Sequence, residues 1–376
     1  EPPPDDFLHA EFDVPADAAG ASATFAWTQG GVDWIAGADA RAVRGETRED
    51  FLFDGTTLTR RRIAGGEQSY GGAFVGAGGA WAQDWRLDAR LRADHWALTD
   101  GRRREWDRAT GASVRDERFA DRRDVAWSGQ IETAWRVTPA WTARGAAYSA
   151  FRVPTLNELY RPFRVGNTNT EANPRLAPET LRGAELGLAY RRDRLEATLT
   201  AFTNSLRDAV GNVTLATTPT LVSRQRLNLD RVRVRGLEAH VAWLPQAAWK
   251  LEGGFVWSDA RVQAAAVQPA LVGRRLAQVP RLTATAAATW RPTAQWEVSA
   301  EARWSSVQFE DDENLLPLGA AGTIDVSVSR HFTPRVSAML RADNLLDAAV
   351  ETSRSVTAPT TYAAPRAVTL QVTVTW

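Results

Sequence analysis

The stretch "LTATAAATWRPTAQWEVSAEARW", residues 282–304, contains the pattern that decides the fold. On both sides of the central "RPTAQ", apolar side chains occupy every second position, and polar residues fill most positions between them. A period of two predicts a β-strand with one apolar and one polar face. Two such strands joined by a short proline-bearing turn predict an antiparallel hairpin whose ends are marked by Trp290 and Trp296.

The same hairpin signal occurs elsewhere in the chain. Paired tryptophans surround a short turn in "WRVTPAW" (135–141) and in "WLPQAAW" (243–249), and the terminal "AVTLQVTVTW" (367–376) alternates strictly. We count roughly 16 strands joined as up-and-down hairpins, each about the 9–11 residues that cross a bilayer at a tilt. The pattern therefore predicts an all-β protein, a transmembrane antiparallel up-and-down β-barrel.

Short turns alternate with long polar segments along the chain. The short turns are predicted at 137–140, 190–194, 244–248, 291–295 and 332–335, and the long segments near 45–67, 99–124, 151–180, 263–277, 310–319 and 348–365. Short turns at one rim and long loops at the other are typical of outer-membrane barrels. At Gly236 the alternation changes phase, and a glycine at such a point predicts a β-bulge.

Composition excludes several classes of protein. The chain has 45 basic and 45 acidic residues, a balance that argues against a nucleic-acid binder. It has no cysteine, so disulfides and thiolate metal sites are excluded. No "GxSxG" occurs and the four histidines are scattered, so the chain is predicted not to be an enzyme. No cofactor and no metal centre are predicted.

A soluble barrel or propeller would also alternate, but its apolar face would fill a core. Here that face is rich in alanine, while the other face is crowded with arginine and glutamate, which favours the membrane barrel. Tryptophan is the most frequent aromatic residue, and its ring suits a boundary between lipid and water. We predict a membrane girdle formed by Trp135, Trp141, Trp243, Trp249, Trp290, Trp296 and Trp376.

Several motifs are similar to those of one known family. They are "FRVPTLNELYRPF" (151–163), "NTNTEANPRLAPETLRGAELGL" (167–188), "RVRGLE" (233–238), "FEDDENLLPL" (309–318), "NLLD" (344–347) and the terminal strand. In this order they resemble TonB-dependent outer-membrane receptors, from about residue 20 to the end. The resemblance implies a 22-stranded barrel closed by an N-terminal plug. We expect 1–376 to be the barrel domain of such a receptor, without the plug and the first strands.

The resemblance also implies a location and a function. The chain is expected in the outer membrane of a Gram-negative bacterium, in energised uptake of a scarce nutrient such as a ferric siderophore or cobalamin. The implied partners are outer-membrane lipid, the metal chelate, periplasmic TonB with its inner-membrane complex through the plug, and the barrel assembly machinery that recognises a terminal aromatic like Trp376. The alternative is a passive, porin-like channel of about 16 strands.

Candidate ligand-binding residues lie in the segment 151–180, because guanidinium groups and aromatic rings at the outer mouth could hold an anionic chelate. They are Arg152, Tyr160, Arg161, Phe163, Arg164, Asn167 and Asn173. The alternative is that the prolines of this segment fix its path and the arginines are solvated. No histidine lies within 155–172, which disfavours haem.

Two charged runs are open to more than one interpretation. The four acids at 310–313 could bind calcium, or they could form a solvated loop tip. The "RRR" runs at 60–62 and 102–104 are predicted to be basic loop tips, either paired with anionic lipopolysaccharide or solvated.

Overall fold

The structure, a computed structural model, describes residues 9–356 and 359–376, without the side chains of 9–11. Nearly all of its regular structure is β. In chain order the strands are β1 (His9–Asp13), β2 (Ala16–Gln29), β3 (Val32–Phe53), β4 (Leu58–Ala82), β5 (Trp85–Asp107), β6 (Ser113–Arg118), β7 (Arg122–Arg136), β8 (Trp141–Arg152), β9 (Phe163–Val165), β10 (Thr168–Glu171), β11 (Glu179–Arg192), β12 (Leu195–Thr217), β13 (Val222–Trp243), β14 (Trp249–Ala264), β15 (Leu282–Thr293), β16 (Trp296–Ser305), β17 (Gln308–Phe309), β18 (Pro317–Leu318), β19 (Ala321–Thr333), β20 (Val336–Asp343), β21 (Glu351–Ser353), β22 (Thr361–Tyr362) and β23 (Ala367–Val374). One short helix, α1 (Leu156–Tyr160), follows β8, and a single 3₁₀ turn spans Pro269–Leu271.

One sheet contains 19 of the strands found in the described ranges. Four of these, β1, β6, β9 and β10, are short additions at one end of the sheet, which leaves fifteen long strands. Each long strand is antiparallel to the next, from β2 through to β23. The up-and-down fold class is therefore confirmed, and fifteen strands are close to the roughly 16 predicted.

The apolar residues of the long strands face outward. Leu186 is 73% exposed and Leu370 is 69% exposed, although both belong to regular ladders. Their polar neighbours on the other face make cross-strand contacts, as Glu185 does with the hydroxyl group of Tyr148. This is the arrangement of a barrel whose outer surface meets lipid. No helix within the described residues is long and apolar enough to span a membrane.

The five short turns lie where the sequence predicts them, between β7 and β8, β11 and β12, β13 and β14, β15 and β16, and β19 and β20. Two more lie at the same rim, between β2 and β3 and between β4 and β5. The first of these is made by Gly30 and Gly31, whose φ values of 61° and 79° favour glycine.

The predicted long loops at 45–67 and 99–124 are wrong. Strands β3 and β4 continue through the first segment and are 22 and 25 residues long, so that the connection is only 54–57. The charged residues that suggested a loop instead pair across the ladder, since Arg61 lies opposite Asp50 and Arg62 opposite Glu49. Opposite charges at facing positions stabilise a sheet, so a charged run can extend a strand into water.

The bulge predicted at Gly236 is also wrong. The β12–β13 and β13–β14 ladders pass through this glycine without a register shift, pairing it with Phe202 and Ser258. The apolar residues change face because the strand leaves the lipid, so that Val232 is buried (0% exposed) on the inner face of the sheet. Glycine is needed because a Cβ atom there would lie 2.6 Å from Cζ of the Phe202 ring.

Two apolar cores are buried on the inner face, at the end of the sheet opposite the short turns. The first consists of Ala64, Trp96, Leu98, Val153, Leu159, Tyr160 and Leu176. The second consists of Ala209, Val213, Leu229, Val232, Val262, Ala265 and Leu271. The protein therefore packs a core outside the lipid-facing belt, where connecting segments fold inward.

Candidate ligand-binding region at the outer end

The connection between β8 and β11, residues 153–178, is called the inner loop below. It contains α1, which begins with a capping box. The Thr155 hydroxyl group accepts a hydrogen bond from the Glu158 backbone N–H at 3.2 Å, and the Glu158 carboxylate accepts one from the Thr155 backbone N–H at 2.7 Å. This reciprocal pair satisfies two free donors of a helix only one turn long. Arg152 donates to the same Glu158 at 2.8 Å and so fixes the start of the loop.

The helix is anchored on the inner face of β4 and β5. Leu159 is 0% exposed and Tyr160 is 3% exposed, in the core that includes Trp96 and Leu98. The Tyr160 ring stacks on Phe119 with centroids 5.1 Å apart, and burial raises the pKa of its hydroxyl group. Gly101 lies beneath the ring, where a Cβ atom would be 2.5 Å from it. The close approach explains the glycine in the middle of β5.

Beside the helix lies a largely buried set of ion pairs, called the inner network: Glu49, Arg62, Arg103, Glu105, Arg161 and the partly exposed Glu171. Glu49, only 1% exposed, accepts from Arg62 at 2.6 Å and from Arg161 at 2.9 Å. Arg103 donates to Glu105 at 2.6 Å and to Glu171 of β10 at 3.1 Å.

Burial alone would raise the pKa of Glu49, but the two guanidinium groups outweigh it and hold the pKa below its ordinary value. The network ties the inner loop to β3, β4 and β5.

The opposite side of the inner loop is tied to β13. Strand β10 runs parallel to the start of β13, pairing Thr168 with Val222. Arg226 donates to the carbonyl oxygens of Asn157 (2.5 Å) and Arg161 (2.8 Å), and its guanidinium group lies 4.9 Å from the centroid of the Phe163 ring. Burial lowers the pKa of Arg226. The inner loop is thus bonded to both walls and lies across the inner side of the sheet at its outer end.

The acidic run 310–313 is not a solvated loop tip, and that interpretation is wrong. Asp311 is 5% exposed and accepts from the backbone N–H groups of Leu315 and Leu316. Asp312 accepts from the backbone and hydroxyl group of Thr214 at 2.9 and 2.7 Å, which docks the segment on β12. No cluster of three or more metal-ligating side chains is found among the described residues, so the geometry adds no support to the calcium alternative.

The sequence profile of the β-barrel of TonB dependent receptor-like proteins matches residues 5–345. The chain belongs to the TonB-dependent receptor family. It is 25% identical over 257 residues to the iron-regulated outer membrane virulence protein of Vibrio cholerae, covering 64% of this chain and 34% of that protein. It is 21% identical to the vitamin B12 transporter BtuB of Photobacterium profundum over 58% of this chain and 33% of the other.

A solved structure of an uptake receptor has the same fold. The ferric yersiniabactin uptake receptor FyuA from Yersinia pestis superposes with a TM-score of 0.75 at 16% identity, over 96% of this chain and 54% of that one. The present chain spans about a third of the length of the curated relatives it matches. It is an outer-membrane, multi-pass β-barrel, as predicted.

In this TonB-dependent receptor barrel, four of the predicted ligand-binding residues are held by other protein groups. Tyr160 is buried, Arg161 bonds Glu49, and Arg152 bonds Glu158 and Glu179. Asn173 donates its side-chain amide to the carbonyl oxygen of Arg226 at 3.0 Å. These side chains stabilise the inner loop. Whether they also bind a ligand is not tested by the geometry.

The other three predicted residues lie at the β9–β10 hairpin. Arg164 is exposed and donates to the carbonyl oxygen of Gly166 at 2.8 Å, while Phe163 lies against Arg226. The carbonyl oxygen of Asn167 accepts from Val222, which leaves its amide side chain at the hairpin turn. The structure brings these residues together within one small, partly exposed hairpin.

The predicted girdle tryptophans lie near the short-turn rim, and several form ring pairs across strands. Trp135 stacks on Trp85 at 5.1 Å, Trp141 contacts Tyr190 at 4.8 Å, and Trp249 stacks on Trp290 at 5.6 Å. Trp243 and Trp296 are 47% and 36% exposed, and the terminal Trp376 is fully exposed. Their contact with a lipid boundary stays a prediction that these positions support.

The roles of Arg226 and of the inner network are not evident from the alternation of the sequence. The "RRR" runs at 60–62 and 102–104 were predicted to be loop tips, but they lie in β4 and β5. Arg62 and Arg103 are both 7% exposed and paired with Glu49 and Glu105. The available signal was the matching acidic pattern in "RED" (48–50) and "EWD" (105–107), which places acids at cross-strand distance from these arginines.

Proposed function

We propose that this chain is the barrel of an outer-membrane receptor that takes up a scarce, anionic metal chelate, such as a ferric siderophore, or cobalamin. The observation that carries the proposal is the inner loop, which lies across the inner side of the sheet at its outer end and is tied to both walls. A segment so placed is positioned to meet a ligand before it enters the lumen. Two relatives, an iron-regulated outer membrane virulence protein and a vitamin B12 transporter, support this class of ligand.

The exposed β9–β10 hairpin is the proposed contact surface. Arg164 offers paired N–H donors that suit carboxylate or hydroxamate oxygens, and Asn167 adds an amide. Haem has less support, because His95, His240 and His331 lie on β5, β13 and β19, outside the inner loop. The inner wall below the loop is polar, with ion pairs such as Arg92 to Asp39 at 2.6 Å. We propose that a plug preceding the barrel contacts this wall and couples uptake to TonB.

The test joins the chain to the plug segment of a family relative and produces it in a Gram-negative strain without its own iron receptors. We expect saturable uptake of one ferric siderophore from a panel, or of cobalamin, that stops when TonB is deleted. Uptake that does not saturate and is equal without TonB would instead favour the passive channel.

A double variant, Arg164→Ala with Asn167→Ala, tests the contact surface. Losing two polar contacts should weaken apparent binding of the imported chelate roughly tenfold. The control is Arg194→Ala, an exposed arginine in the short turn at the other rim. Equal affinity of the two variants for the chelate would refute the assignment of the hairpin as the contact surface. Receptor function itself is tested separately, by the TonB dependence of uptake.

A further inference from the structure

The outward face of β11 to β14 changes from apolar to basic over a few residues. Leu186, Ala201, Leu237 and Trp257 lie opposite one another in a single row across the four strands. Leu186 is 73% exposed and Leu237 is 39% exposed, so this row belongs to the face that meets lipid. It marks the outer edge of the apolar belt on this side of the sheet.

Four residues farther out along the strands, the facing row consists of Arg182, Ser205, Arg233 and Arg261. In the next row Arg207 lies directly opposite Arg231. Four residues of strand cover about 13 Å. Because barrel strands are tilted, the arginines stand roughly 10 Å above the apolar row, at the level of lipid headgroups. Arg182, Arg207, Arg231 and Arg233 are called the outer arginine band.

The four side chains of the band are exposed and unpaired. None of them has a hydrogen-bond or ion-pair partner within residues 9–356 and 359–376, whereas Arg261 is paired with Asp259 at 2.9 Å. Like charges at directly opposed positions repel, and Arg207 and Arg231 occupy such a pair. The arrangement costs stability in the isolated chain unless an anion from outside the chain lies between them.

The remainder of the chain does not share this excess of positive charge. On the outward side of β3, Arg44 forms an ion pair with Glu67 at 3.5 Å and lies opposite Asp17. The formal net charge of the whole chain is zero. Exposed arginines without a partner among the described residues also occur at this rim on other strands, such as Arg104 on β5 and Arg123 on β7. Within the described ladders, however, the β12–β13 pair places two of them, Arg207 and Arg231, directly opposite each other.

We propose that the outer arginine band binds the phosphate groups of a phosphorylated glycolipid in the outer leaflet. Its acyl chains would lie along the apolar row of Leu186, Leu237 and Trp257. A guanidinium group offers a planar fork of donors that matches phosphate, and four such groups on adjacent strands match a headgroup with two phosphates. The outward face and the continuity with the lipid-facing row favour a lipid over a soluble phosphate.

The test uses the full chain, folded in detergent, and measures retention of lipid A with two phosphates by native mass spectrometry. The variant carries Arg182→Gln, Arg207→Gln, Arg231→Gln and Arg233→Gln. Each basic residue near an anionic surface contributes about a fivefold factor in affinity, so the quadruple variant should lose several hundredfold. Dephosphorylated lipid A should be retained no better by the wild-type chain than by the variant.

The control removes four exposed arginines from the short-turn rim: Arg136→Gln, Arg192→Gln, Arg194→Gln and Arg335→Gln. It changes the net charge equally and should keep the lipid. Gel mobility before and after heating shows that each barrel is folded. Equal retention by both quadruple variants overturns the proposal. Displacement of the lipid by millimolar inorganic phosphate overturns the assignment to a lipid and makes the band a site for free phosphate.

Discussion

Arginine side chains occur on both faces of one sheet, in the inner network and in the outer arginine band. Those of the inner network have acidic partners, and those of the band have none among the described residues. On the inner face Arg62 and Arg103 are almost fully buried, and each is paired with a glutamate: Arg62 with Glu49 of the neighbouring β3, and Arg103 with Glu105 of its own strand. On the outward face Arg207 and Arg233 are exposed and meet other arginines. Where the inner loop excludes water, the chain supplies the counter-charge itself. In the outer arginine band the described chain supplies none, so the expected partner is external.

The largest effect is expected from Glu49→Gln. The substitution leaves Arg62 and Arg161 without their shared carboxylate in a buried position, and removing one partner of such a pair costs about 3–5 kcal/mol. We expect the inner loop to detach while the strands below stay folded. Hydrogen exchange of 156–176 and trypsin cleavage after Arg161 measure this. The control is Glu117→Gln, whose pair with Arg115 is exposed and contributes less than about 1 kcal/mol.

Acid should act on the same contact. The pKa of Glu49 in the folded protein is depressed by Arg62 and Arg161, so its contribution is present above the ordinary value of 4.5 and is lost as pH falls through the lower, folded-state pKa. The wild-type inner loop should therefore lose protection only below about pH 4.5, whereas Glu49→Gln should show a smaller change over that window. A loop equally protected at pH 3 and pH 7 would mean that its apolar contacts alone hold it.

A smaller effect is expected from Gly101→Ala, which tests the apolar part of the same docking. The new Cβ atom would lie 2.5 Å from the Tyr160 ring, and overpacking of this kind costs about 1–3 kcal/mol. Protection of α1 amides against hydrogen exchange should fall. The matched control is Gly71→Ala in β4, where a Cβ atom meets nothing within 4 Å. If the two alanines behave alike, the ring is free to move and does not anchor the loop.

The inward face and the outward face also differ in what the sequence could predict. Period-two patterning located five short turns correctly, four of them containing proline, because a lipid-facing strand must alternate and a tight turn must follow it. The same signals apply to every strand inside the bilayer. Fold class, strand direction and the position of the tryptophan rings follow from them.

Outside the bilayer that rule no longer applies, and several predictions failed there, although the long connections at 151–180 and 263–277 lie where the sequence predicts them. Val232 and Val234 face inward because a core replaces lipid as the apolar partner, which reverses the parity without a bulge. The charged segments at 45–67 and 99–124 form strands because their acids and bases meet across the ladder. Such pairings depend on the register, that is, on which residues of two neighbouring strands face each other. The alternation within a single strand does not give that register. The docking of Tyr160 and Arg226 depends on contacts between residues far apart in the chain.

The smallest effect has the opposite sign and separates the two groups of arginines most directly. Arg207→Gln removes one of two like charges that lie face to face, so it should stabilise the barrel by about 0.2–1 kcal/mol. Arg62→Gln, the same substitution in the inner network, should destabilise the docked loop. Urea unfolding of the chain refolded in neutral detergent measures the first effect, with Arg207→Lys as the charge-retaining control. In micelles containing lipid A with two phosphates the gain should vanish, because the phosphates already relieve the repulsion between Arg207 and Arg231. A gain that persists unchanged in that lipid would show that no phosphate reaches the band.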